Sequence, residues 1–446
     1  MRVVIMAGGK GTRIASVASD VPKPMIRVCG KPILEYEIEN LKACGLTDIT
    51  LVIGHLGNVI QEYFGDGSKH DVNISYFKED HPLGTAGALI KMLEVNEDKS
   101  PTAWQQLKDD FLLLSGDIII DVDFQRFIEF HKEKRAWASL MTHPNGHPYD
   151  SSLIVTEILP PQENGGLPID SKRVIQWMNK EDERLYYRNR VNAGIEIISP
   201  VMLRETMKNF VPRHPETPDK IDLDRDILKR NIPSEKIFAY DTTEYIKDMG
   251  TPDRFYETEK DVQNGKVQAR NLRNKQKAIF LDRDGTLTVY KDFITDPEQL
   301  ELIPGVADAV KLINQSGYLA IVVTNQPVIA RGECSFETLQ TIHNKLETEL
   351  GKEGAFVDAI YYCPHHPDKG FEGERPEYKV DCDCRKPNAG MLLRAAKEWN
   401  IDLSESYMIG DSDRDVESGQ NAGAKGSFKL EQNKENALLD CVKRIL

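Results

Sequence analysis

The sequence predicts an α/β protein of two domains, each a mainly parallel, Rossmann-like sheet flanked by helices. Three observations lead there. Short apolar runs at 3–7 and 278–281 each end abruptly in a loop of chemistry-bearing residues, Gly8-Gly9-Lys10-Gly11-Thr12-Arg13 in one case and Asp282-Arg283-Asp284-Gly285-Thr286 in the other. After each loop, strand-like runs alternate with amphipathic stretches, the pattern of a parallel sheet covered on both faces. A chain of 446 residues is also too long for one ordinary core.

In order along the chain, 3–7 reads as a buried strand, 32–44 as an amphipathic helix, 49–53 as a strand, and 111–114 as a strand running into Gly116-Asp117. The stretch 160–170, with Pro160, Pro161, Gly165, Gly166 and Pro168, reads as a surface loop. Residues 255–275 are polar and charged, so the expected division is 1–257, a linker at 258–275, and 276–446. No internal repeat is visible, and in particular no hexapeptide ladder.

Composition narrows the function classes. Hydrophobic content of 40% and charged content of 29% suit a globular protein, and a net charge of −14 argues against a nucleic-acid groove. No apolar run approaches the ~20 residues of a membrane helix, so no membrane partner is expected. Met1 to Ala7 lacks the pattern of a signal peptide. Of seven cysteines, Cys29, Cys44, Cys334 and Cys441 are scattered without framework spacing, so a reducing cytoplasm fits best. No heptad or exposed apolar pattern speaks to oligomeric state.

The first loop directly follows a strand. Its glycines let backbone N–H groups approach phosphate oxygens, and Lys10 and Arg13 add charge. The spacing is not that of a Walker A loop, and Ile14 stands where a dinucleotide fingerprint needs its third glycine. Pro22-Lys23-Pro24-Met25 supplies another cation. Leu83-Gly84-Thr85-Ala86-Gly87 is a second glycine turn, and Gly116-Asp117 puts a carboxylate at a strand end. Asn192-Ala193-Gly194 and Asp248-Met249-Gly250-Thr251-Pro252 complete the series.

This ordered set resembles the sugar-1-phosphate nucleotidyltransferases over about residues 1–255. The opening, with Ser19-Asp20-Val21-Pro22-Lys23-Pro24-Met25, looks most like the heptose 1-phosphate guanylyltransferases and their mannose-1-phosphate relatives. The resemblance implies a GT-A-like domain taking a nucleoside triphosphate, GTP by this likeness, and a sugar phosphate. It makes Gly8, Gly9, Gly11 and Thr12 the nucleotide cradle, with Gly84 at the nucleoside. Arg13 and Lys23 then neutralise the departing pyrophosphate, Asp117 and Asp248 hold Mg²⁺, and Lys180 and Asn192 face the sugar phosphate. Where the family often has Glu-Lys-Pro, this chain has Asn179-Lys180-Glu181.

In the second half, two carboxylates two residues apart at a strand end can divide labour, Asp282 as nucleophile and Asp284 as general acid and base. Thr324 and Asn325 end another strand, Arg385 and Lys386 supply cations, and Asp411 and Asp415 supply further carboxylates. A phosphate dianion repels Asp282 until charge is offset, which calls for Mg²⁺. Cys363, His365, Cys382 and Cys384 form a C-x-H…C-x-C set suited to a closed, structural Zn²⁺ site, with His366 outside it.

The order of these parts is that of the haloacid dehalogenase superfamily. With the cysteine set and the Ile329-Ala330-Arg331-Gly332 loop, about residues 276–428 look like the heptose 1,7-bisphosphate 7-phosphatases, which also resemble histidinol phosphatases. The resemblance implies a HAD-like domain with a zinc loop. Thr324 and Lys386 then stabilise the transferring phosphoryl group, while Asn325, Arg331 and Arg385 meet substrate. Asp282, Asp284 and Asp411 ligate Mg²⁺ with Asp415 beside it. Here Pro327-Val328 replaces the Ser-Gly usual after Thr-Asn-Gln.

Joined, the two resemblances imply a bifunctional enzyme of nucleotide-activated heptose synthesis, feeding surface glycans such as lipopolysaccharide. The rival readings keep both chemistries with mannose 1-phosphate or histidinol phosphate as substrate, or make the first domain a nucleotide sensor without turnover.

Overall fold

The structure is a computed structural model and describes residues 1–9, 21–93, 107–161, 166–370 and 372–446. Two compact units divide the chain, and they are not contiguous in sequence. The first holds Met1–Thr142, Lys172–Trp177 and Asn192–Asn271; the second holds His143–Ser171, Met178–Val191 and Leu272–Leu446. The stretch 255–275 is largely helical, with helices Pro252–Gln263 and Lys266–Ala269 counted in the first unit.

In the first unit, strands Asn73–Lys78, Asp48–Ile53, Arg2–Met6 and Phe111–Ser115 lie side by side in that order, all parallel. Val191–Ile198 continues the sheet antiparallel to Phe111–Ser115. Val3, Ile5, Ile49, Leu51, Leu112 and Leu114 are fully buried in one core cluster. Each such side chain contributes about 1.5–3 kcal/mol by leaving water. The helix expected over 32–44 spans Ile33–Ala43, entered from Pro32 and burying Leu34, Ile38 and Leu41. It stops where Gly45 takes φ +74 and Leu46 N donates back to Leu41 O at 2.9 Å, a left-handed cap that suits glycine. A two-stranded antiparallel ribbon pairs Ile118–Asp121 with Tyr245–Asp248.

The second unit is built on five parallel strands in the order Ala359–Cys363, Tyr318–Asn325, Lys277–Leu281, Tyr407–Gly410 and Gly426–Lys429. Burial on both faces explains the continuous apolar runs. Ile279, Leu281, Val322 and Ile409 face one core cluster, while Ala278, Phe280, Ile321 and Met408 face another. Asp282, Asn325, Cys363 and Asp411 therefore all fall at carboxyl ends of strands, where such sheets bind ligands. The helix Phe336–Lys352 is capped by Ser335, which accepts from Thr338 N. On it, Thr348 bonds both backbone groups of Tyr187, and Glu347 pairs with Arg190 at 3.3 Å.

Two candidate active sites

The second unit carries the tighter site. Asp282 leaves the central strand with its N–H donating to Ile409 O at 3.0 Å. Gly285, at φ +86, lets the loop turn back on itself; a Cβ there would come within 2.3 Å of an Asp411 carboxylate oxygen. Lys386 is 3% exposed, and its Nζ lies 2.6 Å from Asp282 Oδ1, 2.6 Å from Asp415 Oδ1 and 2.8 Å from Val323 O. Asp282, Asp411 and Asp415 bring one carboxylate oxygen each within 4.8 Å of one another. Three hard oxygens beside one ammonium are a donor set that could hold a small divalent cation.

The charges in this cluster depend on each other. Burial pushes the Asp282 carboxyl up to about 7 against the pull of Lys386. Burial also works against the Asp415 carboxylate, but Lys386 and Ser412 outweigh it and hold Asp415 below its usual range. Lys386 in turn stays protonated: desolvation opposes its charge, and the two carboxylates more than restore it.

Two expected site residues lie apart from this three-oxygen cluster. The Asp284 carboxylate stands outside the three-oxygen cluster. Its oxygens accept from Arg283 Nε at 2.9 Å and Nη2 at 2.8 Å, Gln326 Nε2 at 2.9 Å and Thr288 Oγ1 at 3.2 Å. Arg283, 0% exposed, holds that side chain by two parallel bonds. Burial works against its ionised form, but Arg283 and these donors hold Asp284 below the usual carboxylate range. Asn325, expected at the substrate, instead has both ends of its amide on the Lys386 backbone, at 3.0 Å and 3.1 Å. Thr324 is buried and accepts from Gln326 at 2.9 Å. Arg331 pairs with Glu333 at 2.8 Å and lies over the Phe293 ring.

The structure also gathers Cys363, His365, Cys382 and Cys384. Their sulfurs lie 3.2–3.6 Å apart, and His365 Nδ1 is 3.6 Å and 3.4 Å from Cys363 and Cys384. A tetrahedral zinc with ordinary Zn–S bonds would set sulfurs about 3.8 Å apart, so the four donors fit one ion with a slight expansion. The hydrogen bond shared with Cys363 leads the effects that bring the Cys384 thiol down to about 5, so it is readily the thiolate a metal needs. Arg385 donates to His365 O at 3.0 Å, tying the cation pair to this loop.

In the first unit, Gly8 follows the Arg2–Met6 strand and sits against Gly54 and Glu79, where a Cβ would meet Glu79 Oε2 at 3.0 Å. Gly9 is open. Gly11, Thr12 and Arg13 lie outside the described residues. Gly84, at φ +70, has room for no side chain: a Cβ would stand 2.5 Å from Ile221 O. Asp117 and Asp248 are neighbours across the ribbon, since Asp248 pairs with Ile118 and Met249 N donates to Asp117 O at 3.2 Å. Both carboxylates carry a cation: Lys23 bonds Asp117, and Arg254 Nη1 bonds Asp248 at 2.7 Å and 2.8 Å. Asn192 belongs to this unit; Lys180 is exposed and counts with the second.

Sequence reasoning missed several participants. Arg254 and Gln432, the latter donating to Asp411 at 2.7 Å, follow no motif. Glu37, fully buried, receives Ile118 N at 3.3 Å, and burial raises its carboxyl well above the usual range. A Ser139–His131–Asp110 chain has the contacts of a catalytic triad, at 2.8 Å and 3.2 Å, but Ser139 is 0% exposed and no substrate reaches it.

Comparison with known proteins finds relatives of both halves of the chain. The nucleotidyl transferase family model matches residues 2–265, and a HAD-hydrolase-like model matches 383–438. The chain is 39% identical over 157 residues to D-glycero-beta-D-manno-heptose-1,7-bisphosphate 7-phosphatase of Rhodopseudomonas palustris, covering 35% of this chain and 84% of that protein. It is 44% identical over 149 residues to the enzyme of the same name from Haemophilus influenzae, covering 33% of this chain and 78% of that protein. A solved structure of HddC from Yersinia pseudotuberculosis complexed with GMP-PN matches at TM-score 0.44 and 23% identity, over 58% of this chain and 99% of its own. The chain joins two enzymes, a sugar-1-phosphate nucleotidyltransferase and a sugar-phosphate phosphatase. By its first 265 residues it belongs to the nucleotidyl transferase family, and by its last third to the HAD-like phosphatase family of the two bacterial enzymes just described.

Proposed function

We propose that the two sites act in sequence on one phosphorylated heptose, the second unit removing the 7-phosphate of a heptose 1,7-bisphosphate and the first activating the resulting heptose 1-phosphate with a nucleoside triphosphate. The observation that carries the reading is the Lys386–Asp282–Asp415 cluster, in a stretch 39–44% identical to enzymes named for that bisphosphate. GTP is the nucleotide we propose, from the Ser19–Met25 likeness, and the reducing cytoplasm is the compartment we propose, from the scattered cysteines.

In the phosphatase reaction an Asp282 oxygen attacks phosphorus, and the P–O bond to the sugar breaks as an aspartyl-phosphate forms. The leaving oxygen takes a proton from Asp284, which picks one up from solvent only after it has turned from Arg283 and Gln326, the groups that keep it ionised. Asp284 then takes a proton from water as that water attacks phosphorus, freeing phosphate and restoring Asp282. Lys386 balances the charge that gathers on Asp282 and the phosphoryl oxygens. Asp282, Asp411 and Asp415 would hold Mg²⁺, which supplies further offset of phosphate charge. Cys363, His365, Cys382 and Cys384 would hold Zn²⁺, fixing the loop that presents Arg385 and Lys386.

In the transferase reaction a phosphate oxygen of the sugar 1-phosphate attacks the α-phosphorus, and pyrophosphate leaves with the electron pair of the broken bond. Gly8 and Gly9 let the backbone approach the triphosphate, and Lys23 offsets its charge. Asp117 and Asp248 would hold Mg²⁺ once their bonds to Lys23 and Arg254 open. Incubating the full chain with heptose 1,7-bisphosphate, Mg²⁺ and each nucleoside triphosphate tests the reading; it expects phosphate, pyrophosphate and a nucleotide heptose. Equal rates with histidinol phosphate would sink the heptose assignment.

A further inference from the structure

A cavity of about 140 Å³ in the first unit has no role yet. It begins at Met6 and Ser115, each two residues before the loops that carry Gly8 and Asp117, and reaches Asn192, Glu196 and Asp224. Asn192, Gly194 and Glu196 alternate along one strand and so share a face. The missing side chain at Gly194, which has φ +70, keeps the cavity open between Glu196 and Ser115.

The polar groups here are thinly partnered by the protein. Glu196 is 3% exposed and is met by Asn192 Nδ2 at a long 3.4 Å. The buried Oδ1 of Asn192 has no hydrogen-bond partner among the described residues. Among the described residues the ion pairs of this segment go to Asp226, from Arg213 and Arg230, and not to Glu196 or Asp224, and these two join no metal-holding group. Buried polar atoms of this kind normally have a partner, and a neutral ligand rich in O–H groups supplies both donors and acceptors. A phosphate would be repelled.

Resting on the transferase reading above, we propose that Glu196 and Asp224 determine sugar specificity by bonding ring hydroxyls of the sugar 1-phosphate in this cavity, with the phosphate directed to the Gly8 loop and Lys23. Burial, with Asp224 nearby, pushes the Glu196 carboxyl up to about 8, and burial with Asp222 nearby pushes Asp224 up to about 6. At neutral pH Glu196 is thus a donor and Asp224 an acceptor, matching the two faces of a hydroxyl group.

Steady-state nucleotidyl transfer by the full chain, with Glu196→Leu, which removes the donor, and Asp224→Asn, which removes the charge, tests this against heptose 1-phosphate, mannose 1-phosphate and a deoxy analogue. The expected result is a KM for the sugar 1-phosphate raised about tenfold, with kcat and the nucleotide KM within about twofold. Discrimination against the deoxy analogue should fall in Asp224→Asn. An unchanged sugar KM, or a shift confined to the nucleotide, overturns the assignment. Phosphate release by the second unit reports in the same sample that the chain is folded there, and the Asp224→Asn variant decides if Glu196→Leu unfolds the first unit. If the unaltered chain turns over no sugar 1-phosphate, the transferase reading fails; calorimetric binding of heptose 1-phosphate to the unaltered chain and to the variants then still decides the pocket, equal binding overturning it.

Discussion

Asn325 holds Lys386 by its backbone: the Lys386 N–H donates to Asn325 Oδ1 at 3.0 Å and Asn325 Nδ2 donates to Lys386 O at 3.1 Å. An amide at the end of one strand thus fixes the start of a distant loop, so that the Lys386 ammonium reaches both Asp282 and Asp415. Removing that clamp leaves the cation present but misplaced, and misplacement of about 1 Å can cost ~10²-fold in rate. Asn325→Ala should lower kcat for phosphate release by about 10–100-fold with a smaller change in KM. A KM effect alone would instead mean that Asn325 touches substrate.

Asp282→Asn should abolish phosphate release, because an amide oxygen is too weak a nucleophile to open the ester. Nucleotidyl transfer to supplied heptose 1-phosphate should continue in the same sample. Losing both activities together would mean that the substitution unfolds the chain rather than removing the nucleophile.

The second unit should depend on its sulfur cluster for order. Cys384→Ser leaves three donors and takes away the thiol that ionises most readily. Metal binding contributes directly to folding free energy where ligands converge in this way. The variant should bind less zinc by elemental analysis, melt several degrees lower, and lose phosphatase rate because Arg385 and Lys386 follow the same loop. Full zinc content in Cys384→Ser would remove that residue from the ligand set.

The buried pair Arg190 and Glu347, with side chains 7% and 3% exposed, ties the segment before the first unit's Asn192 strand to the helix Phe336–Lys352 within the second unit. Breaking a buried pair leaves one charge uncompensated and costs about 3–5 kcal/mol. Arg190→Met should therefore destabilise the second unit by that order in urea titrations followed by phosphatase activity. Arg190→Met with Glu347→Leu should recover most of it, since no charge is then left unpaired.

How much of this was legible in the sequence depends on whether a residue acts through its type or its direction. Asp282, Lys386, Asp411 and the cysteine set were readable because motif spacing at strand ends fixes their type and place together. Asn325 was visible, but its bonds to the Lys386 backbone were not, because no spacing tells which way an amide points. Asp284 was readable as an acid, yet its neighbour Arg283 decides where its carboxylate lies. Glu196 was invisible: a charged residue alternating along a strand reads as facing solvent, and only the folded chain around it, with Leu223 and Asp224 beside the same cavity, leaves it 3% exposed. The inclusion of 143–171 and 178–191 in the second unit was equally hidden, since reading by contiguous stretches assigns an insertion to its flanks.

The same burial gives the first unit a distinctive pH response. Unfolded, Glu196 loses its proton near the ordinary value of 4.5; folded, burial and Asp224 keep it until about 8. Between these values the unfolded chain binds fewer protons at this position, so stability falls as pH rises. Asp224 adds in the same sense up to about 6, with Asp222 raising it and Lys229 and Arg225 opposing. Glu196→Gln stays neutral at every pH and should flatten this part of the curve. Urea midpoints of the first unit, followed by transferase activity from about pH 5 to about pH 8, should decline in the unaltered chain and decline less in Glu196→Gln. Parallel slopes would place the Glu196 carboxylate in contact with water and remove the basis for its retained proton.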